Sequence, residues 1–217
     1  SETYGDSLIT FPSKNQMEAL RILERNMEKK PRTKKDIRRQ ILAVRRTLPV
    51  EEAKEKSREI FQKVTAHPWY IEADTVFCYA SHDGEVRTRE LMDQILADGK
   101  RLALPRVEGR EMTFYEVREP DRLEEGAYGI EEPLPENPVR KEHSEKALMI
   151  IPGIVFDRRL HRIGYGGGFY DRYLAGDAPF HTMAVAYECQ CILGELPFES
   201  HDLCPEVLVT EREIYQR

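Results

Sequence analysis

The chain has no apolar run approaching the roughly 20 residues needed to cross a bilayer, so membrane insertion is not expected. It also lacks a disulfide framework. Four cysteines, Cys78, Cys189, Cys191 and Cys204, are few and irregularly spaced, and reduced thiols are expected. Cys189-Gln190-Cys191, with His201 and Cys204 downstream, misses the two-residue gap of a zinc knuckle, which argues against a metal site there. An excess of positive charge is absent as well. With 33 Lys and Arg against 39 Asp and Glu, the net charge of -6 argues against a general nucleic-acid binder, although basic residues gather between Lys29 and Arg46. Ser1 to Pro12 shows no basic stretch leading into an apolar core, so a secretory signal is not expected and the cytoplasm is the default address. Internal repeats and low-complexity tracts are missing too.

What is present suits one large α/β domain, or one domain with an appendage: 217 residues, 40% hydrophobic and 33% charged. Met17, Leu20, Leu23 and Met27 recur at helical spacing within Lys14 to Lys30 and predict an amphipathic helix. Pro31 interrupts it. Thr33 is then a candidate N-cap for a helix over Lys34 to Leu48, carrying Ile37, Ile41, Leu42 and Val44, which Pro49 ends. A third helix is expected over Glu51 to Ala66, stopped by His67-Pro68. From Thr75 to Tyr79 the chain becomes apolar and β-prone, as in a strand covered on both faces. Thr88 to Ala97 reads as a helix capped by Thr88 and ended by Asp98-Gly99. Further strands are expected over Arg101 to Arg106, Met112 to Val117, Ala147 to Pro152, Thr182 to Tyr187 and Val207 to Thr210. Glu119 to Ser144 reads as mostly loop, and Phe169 to Leu174 as a short helix. Alternating β and α segments imply a largely parallel sheet with helices on both faces.

The most informative stretch runs from Ile151 to Asp157 and on through Arg162-Ile163-Gly164-Tyr165-Gly166-Gly167-Gly168-Phe169-Tyr170-Asp171-Arg172. It reads as a buried strand, a glycine-rich loop and a helix start. Glycine lets backbone N–H groups crowd around an anion, and the first helical turn adds unpaired donors. No Gly-Lys-Ser/Thr follows, so it is not a Walker A loop, and it is no clean dinucleotide fingerprint either. In sheets of this kind ligands bind beyond the carboxyl ends of the strands, where this loop is expected to lie. A tight turn flanked by surface charges is the alternative reading.

Other residues take meaning from that loop. Asp171, just inside the helix, is placed to hold Mg²⁺ against phosphate oxygens or simply to charge a helix start. Glu206, leading into the last strand, is either a second carboxylate or a solvated acid. Lys34 and Arg38 are one turn apart and share a face, either toward a triphosphate or toward solvent. Glu85, after Ser81-His82-Asp83-Gly84, is either a ligand-ring contact or a helix-entry charge.

Taken together, Pro152 to Asp157, the Arg162 to Arg172 loop, the Lys34 and Arg38 pair and Glu85-Val86-Arg87-Thr88 resemble the 5-formyltetrahydrofolate cyclo-ligases, also called 5,10-methenyltetrahydrofolate synthetases. The similarity runs in order from about Lys34 to about Thr210, and the glycine loop with Phe169-Tyr170-Asp171 is its specific part. The resemblance implies a three-layer α/β sandwich with a mostly parallel sheet, similar to the ribose-phosphate isomerase and CoA-transferase group. Residues 33–217 would form one catalytic domain and 1–32 an extension with the amphipathic helix. The implied reaction is ATP-dependent cyclisation of 5-formyltetrahydrofolate to 5,10-methenyltetrahydrofolate, releasing ADP and phosphate through a phosphorylated formyl intermediate. ATP and Mg²⁺ would be needed, the partners would be small molecules, and the protein would be a monomer or weak homodimer.

By the same resemblance Lys34, Arg38 and Arg162 contact ATP phosphates and carry the catalytic charge. Gly164, Tyr165, Gly166, Gly167, Gly168, Phe169 and Tyr170 wrap the triphosphate. Ala80, Glu85, Tyr128 and Tyr170 face the folate, Tyr128 by stacking, and Asp171 with Glu206 holds the metal. The sequence departs from the family pattern at three positions: Glu206 stands near a frequent Asp, His161 where glycine is common, and Phe169 in place of a frequent tyrosine. A sugar-phosphate isomerase or CoA-transferase relative would keep the fold but need a general base or nucleophilic carboxylate and no ATP. A non-catalytic nucleotide- or folate-binding module would bind without turnover.

Overall fold

A computed structural model describes residues 14–27, 32–144, 146–176 and 178–217, apart from the side chains of residues 23, 24, 26 and 27. In chain order its elements are α1 (Lys14–Met27), α2 (Lys34–Arg46), α3 (Val50–Ala66), α4 (Pro68–Glu72), β1 (Thr75–Phe77), α5 (Arg89–Ala97), β2 (Arg101–Glu108) and β3 (Glu111–Glu116). Then follow β4 (Glu124–Glu125), β5 (Glu131–Glu132), β6 (Ala147–Ile151), β7 (Val155–Phe156), β8 (Arg162–Ile163), α6 (Phe169–Tyr173), β9 (His181–Val185), β10 (Val207–Val209) and β11 (Ile214–Gln216).

The central sheet has seven strands in the order β11-β10-β9-β6-β1-β2-β3. Its inner pairs are parallel, and antiparallel β3 and β11 close the two edges. Alternate residues of the central strands feed opposite layers, as the two-residue period of a strand requires. Val76, Leu102, Leu148, Ile150, Met183 and Val207 pack with Ile60 and Val64 of α3 and Leu91 and Ile95 of α5. Phe77, Ala103, Met149, Ile151, Ala184 and Leu208 face the other way, toward Phe156, Phe180 and the half-buried Phe169, Tyr170 and Tyr173 of α6. The expected α/β sandwich is therefore present, with one layer of helices and a second of α6 and irregular chain. Among the described residues no helix is long and apolar enough to cross a membrane.

Helix α2 forms where its capping and spacing direct. Thr33 Oγ1 accepts from the Asp36 N–H at 3.2 Å, a cap worth about 1 kcal/mol, and Ile37, Ile41 and Val44 are buried. Helix α1 differs from its expected stripe. Met17 is exposed, Gln16 is buried, and Ala19 and Leu20 pack inward. The side chains of Leu23 and Met27 lie outside the described residues, as do residues 1–13 and 28–31.

Two further departures shape the site. Strand β1 ends at Phe77 instead of Tyr79 because Thr88 Oγ1 takes the Tyr79 carbonyl at 2.5 Å. Thr88 also exchanges bonds with Ser81, accepting from its N–H at 3.1 Å and donating its own N–H to Ser81 Oγ at 3.2 Å. Thr88 thus stands at the N-cap of α5 but makes no side-chain cap bond; its hydroxyl staples the preceding loop. The second departure is a hairpin, β7 with β8, inserted between β6 and the glycine loop. Its turn is organised by Asp157, whose carboxylate accepts from the N–H groups of Arg159, His161 and Leu196 at 2.9–3.0 Å and lies 2.7 Å from His161 Nδ1. The left-handed backbone of that turn is at Leu160, φ 62°. Position 160, next to His161, is thus where this backbone favours glycine.

Candidate active site

At the carboxyl ends of β6, β1 and β2 a cleft of about 730 Å³ opens between the glycine loop, the N-terminal turns of α2, the loop after β1 and the segment around Tyr128. Its position follows from the topology, since loops leaving parallel strands diverge there.

One wall is cationic. Arg38 Nε donates to the Gly164 carbonyl at 2.6 Å, which docks the glycine loop on α2. Gly166 has φ 98°, and a β-carbon there would stand 3.4 Å from the Arg38 guanidinium. The space there would admit a β-carbon, so it is the left-handed backbone that calls for glycine at this position. Arg162 Nε donates to the Pro152 carbonyl at 2.7 Å, and its guanidinium lies 5.5 Å from the Tyr170 ring centre. Burial lowers the pKa of both Arg38 and Arg162, and Asp171 opposes that fall at Arg162; both keep their charge, given how basic guanidinium is. Lys34 Nζ is 2.5 Å from Asp202 Oδ2 and 3.9 Å from Glu199 Oε2.

The opposite wall combines aromatic and apolar side chains, Tyr79, Ala80, Tyr128 and Ile130, with the carboxylates Asp83, Glu85, Glu131 and Glu132. Ala80 and Glu85 are buried, and Glu85 Oε1 accepts from the His82 N–H at 2.8 Å. Burial pushes the Glu85 carboxyl up to about 7, while its bond from His82 and the charges of Arg45 and Arg162 pull the other way. Tyr170 and Tyr79 are raised well above ordinary phenols by burial, so both stay protonated. Tyr79 Oη donates to the Val86 carbonyl at 3.0 Å. Tyr128 stands at the mouth, 78% exposed, with φ 60°; its ring is therefore offered to whatever enters.

Lys34, Arg38, Ala80, Glu85, Tyr128, Arg162, the glycines and aromatics of 164–170 and Asp171 all line this one cleft. Glu206 is not among its lining residues. It precedes β10, at the amino ends of the strands, where its carboxylate accepts from Thr182 N–H at 3.2 Å and lies 3.0 Å from His181 Nδ1. Asp202 and Glu199 are among the carboxylates that line the cleft with Asp171, and Leu203, the residue after Asp202, donates its N–H to Asp171 Oδ1 at 2.7 Å. Burial raises the pKa of Asp202, but the bond from Lys34, the bond from the Glu199 N–H and the charges of Lys34 and His201 together outweigh it and hold the carboxyl below its ordinary value. Helix α6 is only five residues long, so the backbone amides of the loop, more than a helix dipole, make the anion cradle.

A sequence model of the 5-formyltetrahydrofolate cyclo-ligase family matches residues 30–211. The chain belongs to this family. The Escherichia coli K12 5-formyltetrahydrofolate cyclo-ligase is 30% identical over 176 residues, covering 79% of this chain and 97% of the relative. The mouse cyclo-ligase is 30% identical over 183 residues, covering 78% and 89%. Among solved structures, the Aquifex aeolicus 5,10-methenyltetrahydrofolate synthetase superposes with a TM-score of 0.74 at 32% identity, covering 84% of this chain and 92% of that one. A Mycoplasma pneumoniae synthetase, at TM-score 0.67 and 21% identity, shares the fold.

Two residues carry no expectation from the sequence: Asp202, which lines the cleft, and Arg45, which bonds two of its loops from behind. Asp202 gave no local signal, since its partner Lys34 is 168 residues away. Arg45 did leave one: it falls on the buried stripe of Ile37, Ile41 and Val44 and is itself 2% exposed. A charged residue at a core position of a helix marks a built interaction.

Proposed function

We propose that this chain is an ATP-dependent 5-formyltetrahydrofolate cyclo-ligase, acting in the cytoplasm as a monomer or weak homodimer, with residues 33–217 as its catalytic domain and 1–32 as an extension. The single observation that carries the reading is the two-sided cleft: a cationic, glycine-lined wall faces one of aromatic, apolar and carboxylate side chains across one cavity, in a chain of this family.

The chemistry follows from the substrate. An N5-formyl group is amide-like, with a poorly electrophilic carbon and an oxygen that is a very poor leaving group. In the proposed sequence the formyl oxygen attacks the γ-phosphorus of ATP, its bond to ADP breaks, and the formyl oxygen becomes part of a leaving phosphate. N10 adds to the activated carbon and loses its proton, and the carbon–oxygen bond breaks to give 5,10-methenyltetrahydrofolate. The protein need not supply a nucleophile; its work is positioning and charge stabilisation.

Lys34, Arg38, Arg162 and the amides of residues 164–168 would hold the triphosphate and meet the charge that develops on it. Ala80, Glu85, Tyr170 and Tyr128 would hold the folate with its formyl oxygen toward that wall. Asp171 and Asp202 suit Mg²⁺, a hard cation that takes oxygen ligands. When bound, the ion would neutralise phosphate oxygens. The test is the rise in methenyl absorbance when 5-formyltetrahydrofolate, ATP and Mg²⁺ are mixed with the protein. Absorbance that rises only when all three are present supports the proposal; a flat trace with folded protein refutes it.

A further inference from the structure

Among the described residues Arg45 heads the fully buried side chains by volume, and nothing in the reaction above uses it. Its Nη2 donates to the Asp83 carbonyl at 2.6 Å and to Tyr165 Oη at 2.9 Å. Nε and Nη1 are buried and bond no protein group among the described residues. Removing a guanidinium from water costs several kcal/mol unless its contacts return it, so the two bonds it does make are informative. One goes to the glycine loop, through Tyr165. The other goes to the tip of the loop after β1, where Asp83 and Gly84 have φ of 46° and 77° and Glu85 follows. Arg46 adds a second hold on that tip, Nη2 to Asp83 Oδ2 at 2.9 Å. The same helix carries Lys34 and Arg38 under the glycine loop.

We propose that Arg45 is a positioning residue that joins the loop gripping the nucleotide to the loop gripping the folate, so that filling one half of the cleft orders the other. This deepens the functional reading above and rests on it. Binding at the glycine loop fixes Tyr165, and the shared guanidinium transmits that order to the Asp83–Glu85 turn. The second ligand then meets a loop whose ordering is already complete, which is positive coupling. The groups facing Glu85 are Arg45 from α2, Tyr79 from the end of the β1 segment, His82 and Asp83 on its own turn, Arg162 from β8, and Tyr165 and Tyr170 beyond it. Arg45 opposes the effect of burial there, so its loss moves the ionisation of Glu85 to higher pH.

The experiment titrates full-length protein with a non-hydrolysable ATP analogue and Mg²⁺, with and without saturating 5-formyltetrahydrofolate. In the wild type the folate is expected to tighten nucleotide binding by about fivefold or more. In Arg45→Met the ratio falls to about one, and in Tyr165→Phe, which removes only the acceptor hydroxyl, it falls part of the way. The limb of the kcat/KM pH profile that follows Glu85 moves up in Arg45→Met and is restored by Arg45→Lys. A wild type that turns over folate without any coupling, or an Arg45→Met protein with the wild-type ratio, overturns the inference. If Arg45→Met does not fold, an unchanged ratio in Tyr165→Phe overturns it alone. A wild type that binds neither ligand overturns the functional reading instead.

Discussion

Replacing Glu85 by Gln should change how stability depends on pH, in a direction and by an amount that its surroundings set. The carboxyl is 8% exposed, and burial raises it from 4.5 to about 7. A carboxyl that holds its proton more tightly folded than unfolded stabilises the fold wherever that proton stays on. Its contribution is complete below about pH 4.5 and is lost as pH rises through about 7. At about 1.4 kcal/mol per pKa unit, the rise corresponds to about 3 kcal/mol. Gln has the same shape and keeps an oxygen to accept the His82 N–H, but it cannot ionise. Urea unfolding at a series of pH values between about 4 and 8.5 should therefore show the wild type losing about 3 kcal/mol relative to Glu85→Gln as pH increases. Every other titrating group is common to both proteins and cancels. Parallel stability curves would refute the reasoning, because they would mean that Glu85 keeps its charge in the folded cleft.

Three further outcomes are expected. Asp171→Ala and Asp202→Asn should each lower turnover at saturating ATP and Mg²⁺ roughly a hundredfold, while Glu206→Gln, altered at the far end of the strands, should keep near-normal turnover in the same absorbance assay; the reverse ranking would restore Glu206 as the metal partner. Gly166→Ala should weaken nucleotide binding about tenfold in a calorimetric titration, since φ 98° strains any side chain by about 1–3 kcal/mol; unchanged affinity would show that the loop refolds freely. Thr88→Val leaves the Tyr79 carbonyl and the Ser81 N–H without their partner, so unfolding free energy should fall by about 1–3 kcal/mol and the folate KM should rise; a stability loss with no change in KM would confine Thr88 to a structural role.

Much of the site was legible because its signals are local. Glycines at 164 and 166–168, beside Arg162 and Tyr170, announce an anion cradle within one short segment. Lys34 and Arg38 share a helix face by spacing alone. Glu85 is marked by its place after the β1 segment, Tyr128 only by resemblance, and the fold brings both to the same cleft. Glu206 was misjudged because a carboxylate's distance along the chain from Asp171 says little about which end of a strand it occupies. Asp202 comes four residues earlier, at the other end of the segment leading into β10, and that difference puts it in the cleft. The expected stripe of α1 misread Met17 as inward and passed over Gln16, because a helix on the outside of α2 meets its neighbour along a narrow line that hydrophobicity alone does not define.

The chain by itself determined the main helices and the central strands, the buried parallel core and the glycine cradle, because periodicity, caps and backbone freedom act between residues a few positions apart. Tertiary structure alone decided that β3 and β11 close the edges, that a hairpin precedes the cradle, that Asp202 rather than Glu206 meets Asp171's side of the cleft, and that Arg45 reaches two loops at once. Each of these joins residues far apart in sequence, where pairing is settled by which surfaces the packed core leaves adjacent and not by any pattern along the chain.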